Sequence, residues 1–408
     1  MLVLANLFLA ALLSSTPNLN EVSSYGEMWV SPSLSVSTET IHLADYVEDG
    51  ERLEFIDNSF IGEEQTLRTV ICTDGRVIVL REGDMSRSIS LGGFEVADAL
   101  ASASGRFLMA LPRAEVGSEC IALRIDTQTG ETREFSASPG VTARDPWTYP
   151  HDDGSLVTRI GNRVWFFDED LNVVAGPGDL SLSGARGIDT SDDGDLVFIW
   201  AGDFQAYNGR GELLWSVNWE ELPVDNGIDG LLNGSGHVSG NGNRVLLPLG
   251  GGGFILDGST GELIKTYPSG PIVSGCFSED ESLVALTRNT ASSRRVAVMK
   301  LDDSSAGAYA TARLETYYIA LPLVAVSNNG RILAISSNSR TRRAGFIMMD
   351  EEMQPVYFSG WLPANMYDGC SLSSDGSRLV HQSGGNRETR RILVTDIGYR
   401  AAVSASGN

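Results

Sequence analysis

Lysine is almost missing from this sequence of 408 residues: of 30 basic residues only Lys265 and Lys300 are lysine. Histidine is nearly as scarce, with His42, His151, His237 and His381 scattered singly. A zinc site or a histidine base needs two ligands, or a base with its orienting partner, so these four read as turn or packing residues and no metal is expected. Asp168-Glu169-Asp170-Leu171-Asn172 has the acidic alternation of a calcium loop. Val173 stands where the sharp-turn glycine belongs, however, and no distal glutamate follows in register, which leaves a solvated hairpin turn. No Gly-x-Ser-x-Gly elbow occurs, and no glycine-rich phosphate loop runs into a helix; Gly250 to Gly253 is a reversal between strands. Enzyme readings therefore start without catalytic residues, and no cofactor is expected.

Long hydrophobic runs are absent too, except for Leu2 to Leu13. Twelve residues are too few to span a bilayer comfortably, and Ser14-Ser15-Thr16-Pro17 follows directly, so residues 1–16 read as a signal peptide and the chain as secreted or periplasmic. Against this stand the lack of any Lys or Arg before Arg52 and a poor small-x-small cleavage pattern; a buried terminal strand or an uncleaved anchor is the alternative. No later segment resembles a membrane span.

What the chain has in quantity is glycine, 45 residues against 14 prolines, placed in a recurring turn. Ser-x-x-Gly, preceded by an apolar or small residue and followed by a short apolar strand, occurs at Ser102–Gly105, Ser191–Gly194, Ser239–Gly242, Ser327–Gly330 and Ser373–Gly376, with Ser278–Glu281 and His151–Gly154 as variants. Asp, Asn and Ser bond their own backbone, and glycine accepts the left-handed conformation that reverses a strand, so each turn joins a first strand to a second. Further on, each turn is followed by an apolar third strand ending in a polar reversal. These are Val77–Leu80, Cys120–Ile125, Val164–Phe167, Phe204–Tyr207, Phe254–Leu256, Val296–Met299, Phe346–Met349 and Ile392–Val394. Eight such units of about 45 residues fill residues 27–405 as one all-β domain, a β-propeller of eight four-stranded blades, or seven if the first is incomplete. Ring closure has two candidates: Trp29 to Val36 as outer strand of the last blade, or Ala401 to Ala405 from within.

Phe277-Ser278-Glu279-Asp280 and its sister turns resemble the Phe-Ser-Pro-Asp-Gly turn of WD-repeat-like propellers. Asp126 to Glu131, Asp257 to Glu262 and Asn208 to Trp215 resemble repeats of pyrroloquinoline-quinone-type (YVTN-type) propellers. Both resemblances imply the fold and say little of activity, because the families host scaffolds, hydrolases, lyases and dehydrogenases. The Trp-Asp pair of the first family is missing, and Trp215 alone represents the tryptophan docking of the second. The adjacent cysteine pair of many quinone dehydrogenases is lacking as well, which argues against a quinone cofactor. Of the four cysteines, Cys276 and Cys370 fall two blades apart; Cys72 and Cys120 are the only disulfide candidates, with buried thiols the alternative.

Charge is distributed unevenly. The net is −23, yet residues 288–408 hold 14 basic and 10 acidic residues, whereas residues 1–287 hold 16 and 43. In blades six to eight the loop from second to third strand is expected to be long and to end in an arginine pair: Arg294-Arg295, Arg342-Arg343 and Arg390-Arg391, each 48 residues from the next. Equal spacing puts the pairs on one face, where guanidinium forks suit carboxylate or phosphate. Either they receive an anionic partner, a protein or an anionic glycan, or they offset the acidic blades and solubilise long hairpins. A pI near 4.5 argues against nucleic acid. Trp147, Tyr149, Tyr317, Tyr318, Trp361 and Tyr367 either form a platform at that face or pack blade on blade. The resulting expectation is an exported, monomeric binding scaffold. Its alternatives are a hydrolase or lyase with carboxylates at the axial tunnel mouth and a structural envelope component.

Overall fold

A computed structural model describes residues 29–112, 120–137, 139, 147–177, 180, 185, 187–200, 202–218, 222, 236–249, 252–267, 272–290, 293–301, 310–314, 324–338, 343–352, 354–360, 362–363, 370–383 and 390–399. Its strands form eight antiparallel sheets whose four principal strands follow chain order in blades 1 to 7, here blade 1 (53–90), blade 2 (96–136), blade 3 (147–175), blade 4 (187–217), blade 5 (237–267), blade 6 (272–314), blade 7 (324–358) and blade 8 (371–399, with the earlier segment 34–42 as its outer strand). The first strands of neighbouring blades approach one another around the axis. This is the expected eight-bladed β-propeller. Seven of the eight expected third strands fall within observed third strands, and the eighth, Cys120–Ile125, begins one residue before the observed Ile121–Asp126.

Strand periodicity explains the closure. Successive residues point to opposite faces, so a strand covered on both sides reads as continuous apolar sequence. In Val197–Trp200, Val197 and Ile199 enter a core shared with blade 3, whereas Phe198 and Trp200 enter a core shared with blade 5. The same division holds around the ring: every apolar cluster lies between two successive blades, including the one joining blade 8 to blade 1 through Ile41, Ile56, Ile78 and Val380. Fully burying one such aliphatic side chain is worth about 1.5–3 kcal/mol. Each seam therefore carries a large share of the stability, and a lone blade would expose both faces.

Closure uses the earlier of the two candidate segments, shifted along the chain. Leu34–His42 is the outer strand of blade 8, in register from Leu34 opposite Tyr399 to His42 opposite Arg391. Trp29–Val30 instead adds to the outer edge of blade 7, opposite Phe358 and Tyr357. Residues 401–405 lie outside the described residues. Arg378 of blade 8 binds Glu82 of blade 1 with both terminal nitrogens, at 2.9 and 2.7 Å, and also reaches the Gln65 carbonyl at 3.2 Å. Two-pronged, charge-assisted contacts of this kind fix geometry as well as adding energy. No disulfide links the four cysteines. The expected long second-to-third-strand loop of blade 6 is corrected: added length is taken up by strand, with Thr290 opposite Ser293, because the pairing simply continues outward.

The recurring turn works as its composition implies. Ser191 Oγ accepts from Leu196 N at 3.0 Å and donates to Asp193 at 2.8 Å, while Asp193 accepts from Asp195 N at 3.0 Å. Ser278, Ser327 and Ser373 repeat this set with Asp280, Asn329 and Asp375. The fourth turn position needs positive φ: Gly194 has φ 78°, and a side chain there would strike the His151 ring. Blade 6 places Glu281 at this position with φ 57°, and its buried Oε1 has no hydrogen-bond partner. A non-glycine residue in the left-handed region costs about 1–2 kcal/mol. Replacing Glu281 with Gly should therefore raise stability by about 1 kcal/mol in chemical denaturation; an unchanged or lower midpoint would refute the strain.

Candidate functional site

Antiparallel succession puts the first-to-second and third-to-fourth turns on one face of the ring and the second-to-third hairpins on the other. On the turn face, neighbouring turns are bonded across the seams. Ser104 N and Oγ donate to Asp152 at 3.1 and 2.6 Å, Asp152 N to the Asp192 carbonyl at 2.8 Å, and Asp192 N to the Gly240 carbonyl at 2.9 Å. Asn328 N reaches the Ser374 carbonyl at 2.7 Å, and Ser374 N reaches Gln65 Oε1 at 2.8 Å. Farther out, Trp215 Nε1 donates to the Gly258 carbonyl at 2.7 Å, so the single tryptophan of the docking pattern does dock on the next blade. Arg87 and Lys265 make comparable reaches to Thr129 and Lys300 carbonyls.

Within the turn ring lies a cavity of about 570 Å³ on the axis, lined by first strands and turns of every blade except the third. Asp57 of blade 1, Asp192 of blade 4 and Glu279 of blade 6 are in its wall, with no Lys, Arg or His among the lining residues. Burial pushes Asp57 up to about 6, opposed only by the Asn58 amide. Burial also raises Asp192 to about 6, with the like charges of Asp152, Asp193, Glu279 and Glu281 adding to it. These side chains are wetted by the cavity yet surrounded by protein, which is why their charged forms are poorly solvated. The two carboxylates do not act on one another, so they form no coupled acid–base dyad.

Asp189, on the first strand of blade 4, is raised by burial to about 7 while accepting from Val238 N at 2.7 Å. His237 Nδ1 lies 3.8 Å from it, but burial lowers that imidazole to about 4, so near neutral pH the two are not an ion pair. His151 fills the serine position of its turn, bonded to Ser155 at 2.8 Å, and His381 packs tilted against Phe346, with ring centroids 4.9 Å apart. Both are lowered to about 4 by burial, as packing residues would be. Asp168 accepts from Asp170 N, Asn172 N and Asn172 Nδ2, the solvated hairpin expected of the calcium-like stretch. Among the described residues no group of three His, Cys, Asp or Glu could hold a metal ion. None of their helices is long and apolar enough to cross a membrane.

The described members of the arginine pairs, Arg294, Arg295, Arg343, Arg390 and Arg391, fall on the hairpin face by backbone position. Arg294 and Arg295 sit in the third strand of blade 6, opposite Asn289 and Arg288; Arg343 and Arg391 begin the third strands of blades 7 and 8. Arg295 is also opposite Arg313, so Arg288, Arg295 and Arg313 occupy one cross-strand row. Arg390 is half-buried and Arg391 exposed; Arg342, and the side chains of Arg288, Arg294, Arg295, Arg313 and Arg343, lie outside the described residues. So do Tyr317, Tyr318, Trp361, Tyr367 and the Trp147 side chain, whereas Tyr149 packs into the core between blades 3 and 4.

Sequence reasoning expected carboxylates at the axial mouth only as an alternative and did not name them. Blade 1 lacks the serine turn, having Gly62 to Gln65 instead, so the strand that carries Asp57 was not marked as an inner strand. An Asp two residues before the turn serine, as at Asp189, was the available signal.

No family model matches the chain, and no curated protein matches it. Solved structures similar to it include a eukaryotic initiation factor at 15% identity and TM-score 0.53, covering 83% of this chain and 84% of that one. The computationally designed Ika8 protein matches at 13% and 0.53, covering 84% and 96%. Kluyveromyces lactis Hsv2 matches at 10% and 0.50, covering 77% and 100%. At such identities the likeness is one of fold, and it places the chain among β-propellers.

A carboxyl whose folded pKa is raised stabilises the fold at low pH and loses that contribution as pH rises through the folded value. Buried histidines with lowered pKa do the reverse, losing their contribution as pH falls from about 6.5 to about 4. Asp189, at about 7, titrates above that histidine window. Asp189→Asn keeps an acceptor for Val238 N, so it should melt higher than wild type by a few degrees at about pH 8, with the gap narrowing as pH falls from about 7 toward the unfolded value of 3.8. Parallel melting curves across this range would exclude the assignment.

Proposed function

We infer that the protein is a binding scaffold that receives an anionic partner on the hairpin face of blades 6 to 8. The observation that carries this is the placement of Arg288, Arg295 and Arg313 in one cross-strand row, with Arg343 and Arg391 opening the third strands of the next two blades. Like charges directly opposite one another on a sheet are destabilising. A carboxylate- or sulfate-bearing partner would offset that cost. The acidic first-to-second turns face the other way, while Asp45, Glu48 and Asp49 follow Leu43, whose N donates to the Arg390 carbonyl, on the hairpin face. The reading includes export, which rests on the apolar stretch Leu2 to Leu13, and membership of the WD-repeat-like or quinone-type propellers. That membership rests on the Ser-x-x-Gly turns and the Trp215 dock. An envelope component remains compatible with the same scaffold.

A protein this acidic has no bulk reason to bind polyanions, which makes retention informative. Wild type should be held on a sulfated-glycan (heparin) column or on immobilised polyglutamate near physiological salt. The variant with Arg294, Arg295, Arg342, Arg343, Arg390 and Arg391 all changed to Ser should flow through both, with a melting temperature within about 2–4 °C of wild type. Flow-through of the wild type from both, or unaltered retention of the variant, would sink the reading.

A further inference from the structure

Each blade turns the edge of its outer strand toward solvent, and nearly all of these edges are protected. A free edge strand is a template for another chain unless charge, shortness or a cover blocks it. Blade 1 ends in Asp84–Ser90 with Asp84 and Arg87, blade 2 in Thr132–Ser136 with Arg133 and Glu134, blade 6 in Ala310–Leu314 with Arg313, and blade 8 in Leu34–His42 with Glu39. Blade 3 ends in only three residues, Val173–Ala175, and blade 5 in Leu263–Tyr267, with Lys265 at the middle of the strand. Blade 7 ends in Pro355–Phe358, which Trp29–Val30 covers. Blade 4 is the exception. Its outer strand Leu213–Val217 has five residues, none charged, and among the described residues no strand pairs with its outer edge. Leu213 is 49% and Leu214 44% exposed.

Blade 7 shows what such an edge accepts. Its third-to-fourth turn is closed by Asp350 N donating to the Gln354 carbonyl, as that of blade 4 is by Asn208 N donating to the Glu212 carbonyl, both at 3.0 Å. Pro355 and Val356 therefore hold the positions of Leu213 and Leu214, and both strands bulge at the second of the two. Beyond the bulge Val30 lies opposite Tyr357 and Trp29 opposite Phe358, while Ser31 N donates to the Val356 carbonyl at 2.9 Å. With that cover in place Val356 is only 4% exposed. The corresponding backbone on blade 4 is the Leu214 carbonyl with Trp215 and Ser216.

Charge selects the occupant. Exposed Glu212 precedes the strand, and exposed Asp203 stands at its other end, next to Phe204 opposite Val217. In residues 203–221 Arg210 is the one basic residue against Asp203, Glu212, Glu220 and Glu221. Pairing with a second copy in either direction would set acidic ends on acidic ends, which is unfavourable. An extended segment with apolar residues at its centre and Lys or Arg at its ends complements both the leucines and the charge. We propose that Leu213–Val217 takes up such a segment of a partner protein as a fifth strand of blade 4, its apolar side chains against Leu213 and Leu214 and its basic ends beside Asp203 and Glu212.

Fluorescence anisotropy of the full chain with a labelled synthetic peptide, Lys-Val-Thr-Val-Thr-Val-Lys capped at both ends, tests this near neutral pH and at low salt. One saturable site is expected. N-methylation of every Val and Thr amide, which removes strand pairing and keeps the charge, should weaken it about tenfold or more, as should exchange of both peptide lysines for glutamate. Leu213→Lys with Leu214→Lys gives blade 4 the protection that other edges carry and should weaken it as much. Both leucines are exposed, so folding is retained and is checked by thermal melting. Leu263→Lys with Ile264→Lys, adding the same charge on blade 5, should leave the affinity within about twofold. Equal binding of the N-methylated or the glutamate peptide, an equal loss from the blade 5 substitutions, or no saturable binding of the parent peptide would overturn the proposal. A wild-type dimer in sedimentation that the blade 4 substitutions dissolve would overturn it too, since a second copy would then hold the edge.

Discussion

Everything in this molecule depends on hydrophobic cores that no blade owns. Val197 and Ile199 turn toward one neighbour and Phe198 and Trp200 toward the other, so a single strand contributes to two seams and is half-finished in each until both neighbours arrive. Burial at this density is worth little to a lone four-stranded sheet with two bare faces and two open edges. The ring is the arrangement in which every seam is filled, and it requires blade 8 to meet blade 1.

That last seam is built from distant parts of the chain. Leu34–His42 supplies the outer strand of blade 8, and Ile41 and Leu43 belong to the core shared with blade 1. Arg378, Glu82 and Gln65 tie the turn face across the same boundary. Closure also sets the electrostatics. Bringing the turns together around the axis lets their backbones bond across seams, and it crowds Asp152, Asp192, Asp193, Glu279 and Glu281 onto one side. The raised carboxylates of the cavity are thus a product of ring geometry as much as of local sequence.

The sequence displays the repeat more clearly than the site. Ser-x-x-Gly turns are legible because their residues have local jobs: a serine accepting an amide, an Asp or Asn at the third position accepting another, as Asp193 and Asn329 do, and a glycine at positive φ. Third strands are legible because both their faces are buried. Closure by Leu34–His42 was only partly legible, since nothing local in that strand marks its partner more than three hundred residues away. Asp57, Asp189 and Asp192 were overlooked because a carboxylate acquires its environment from blades far along the chain, and blade 1 does not carry the turn that would have located its inner strand. The arginine pairs were found by spacing alone. The structure adds that Arg295 sits in a strand opposite Arg288 and Arg313, where a long loop had been expected.

Two chemistries therefore sit back to back on one scaffold, an acidic axial cavity on the turn face and arginine positions on the hairpin face, and both need the ring to be closed and to behave as one body. Native-state hydrogen exchange of the intact chain tests that most directly. If the ring opens as a unit, amides of Leu34–His42 carry the same protection free energy as those of Val197–Trp200 in blade 4. Free exchange along Leu34–His42 while blade 4 stays protected would contradict the account.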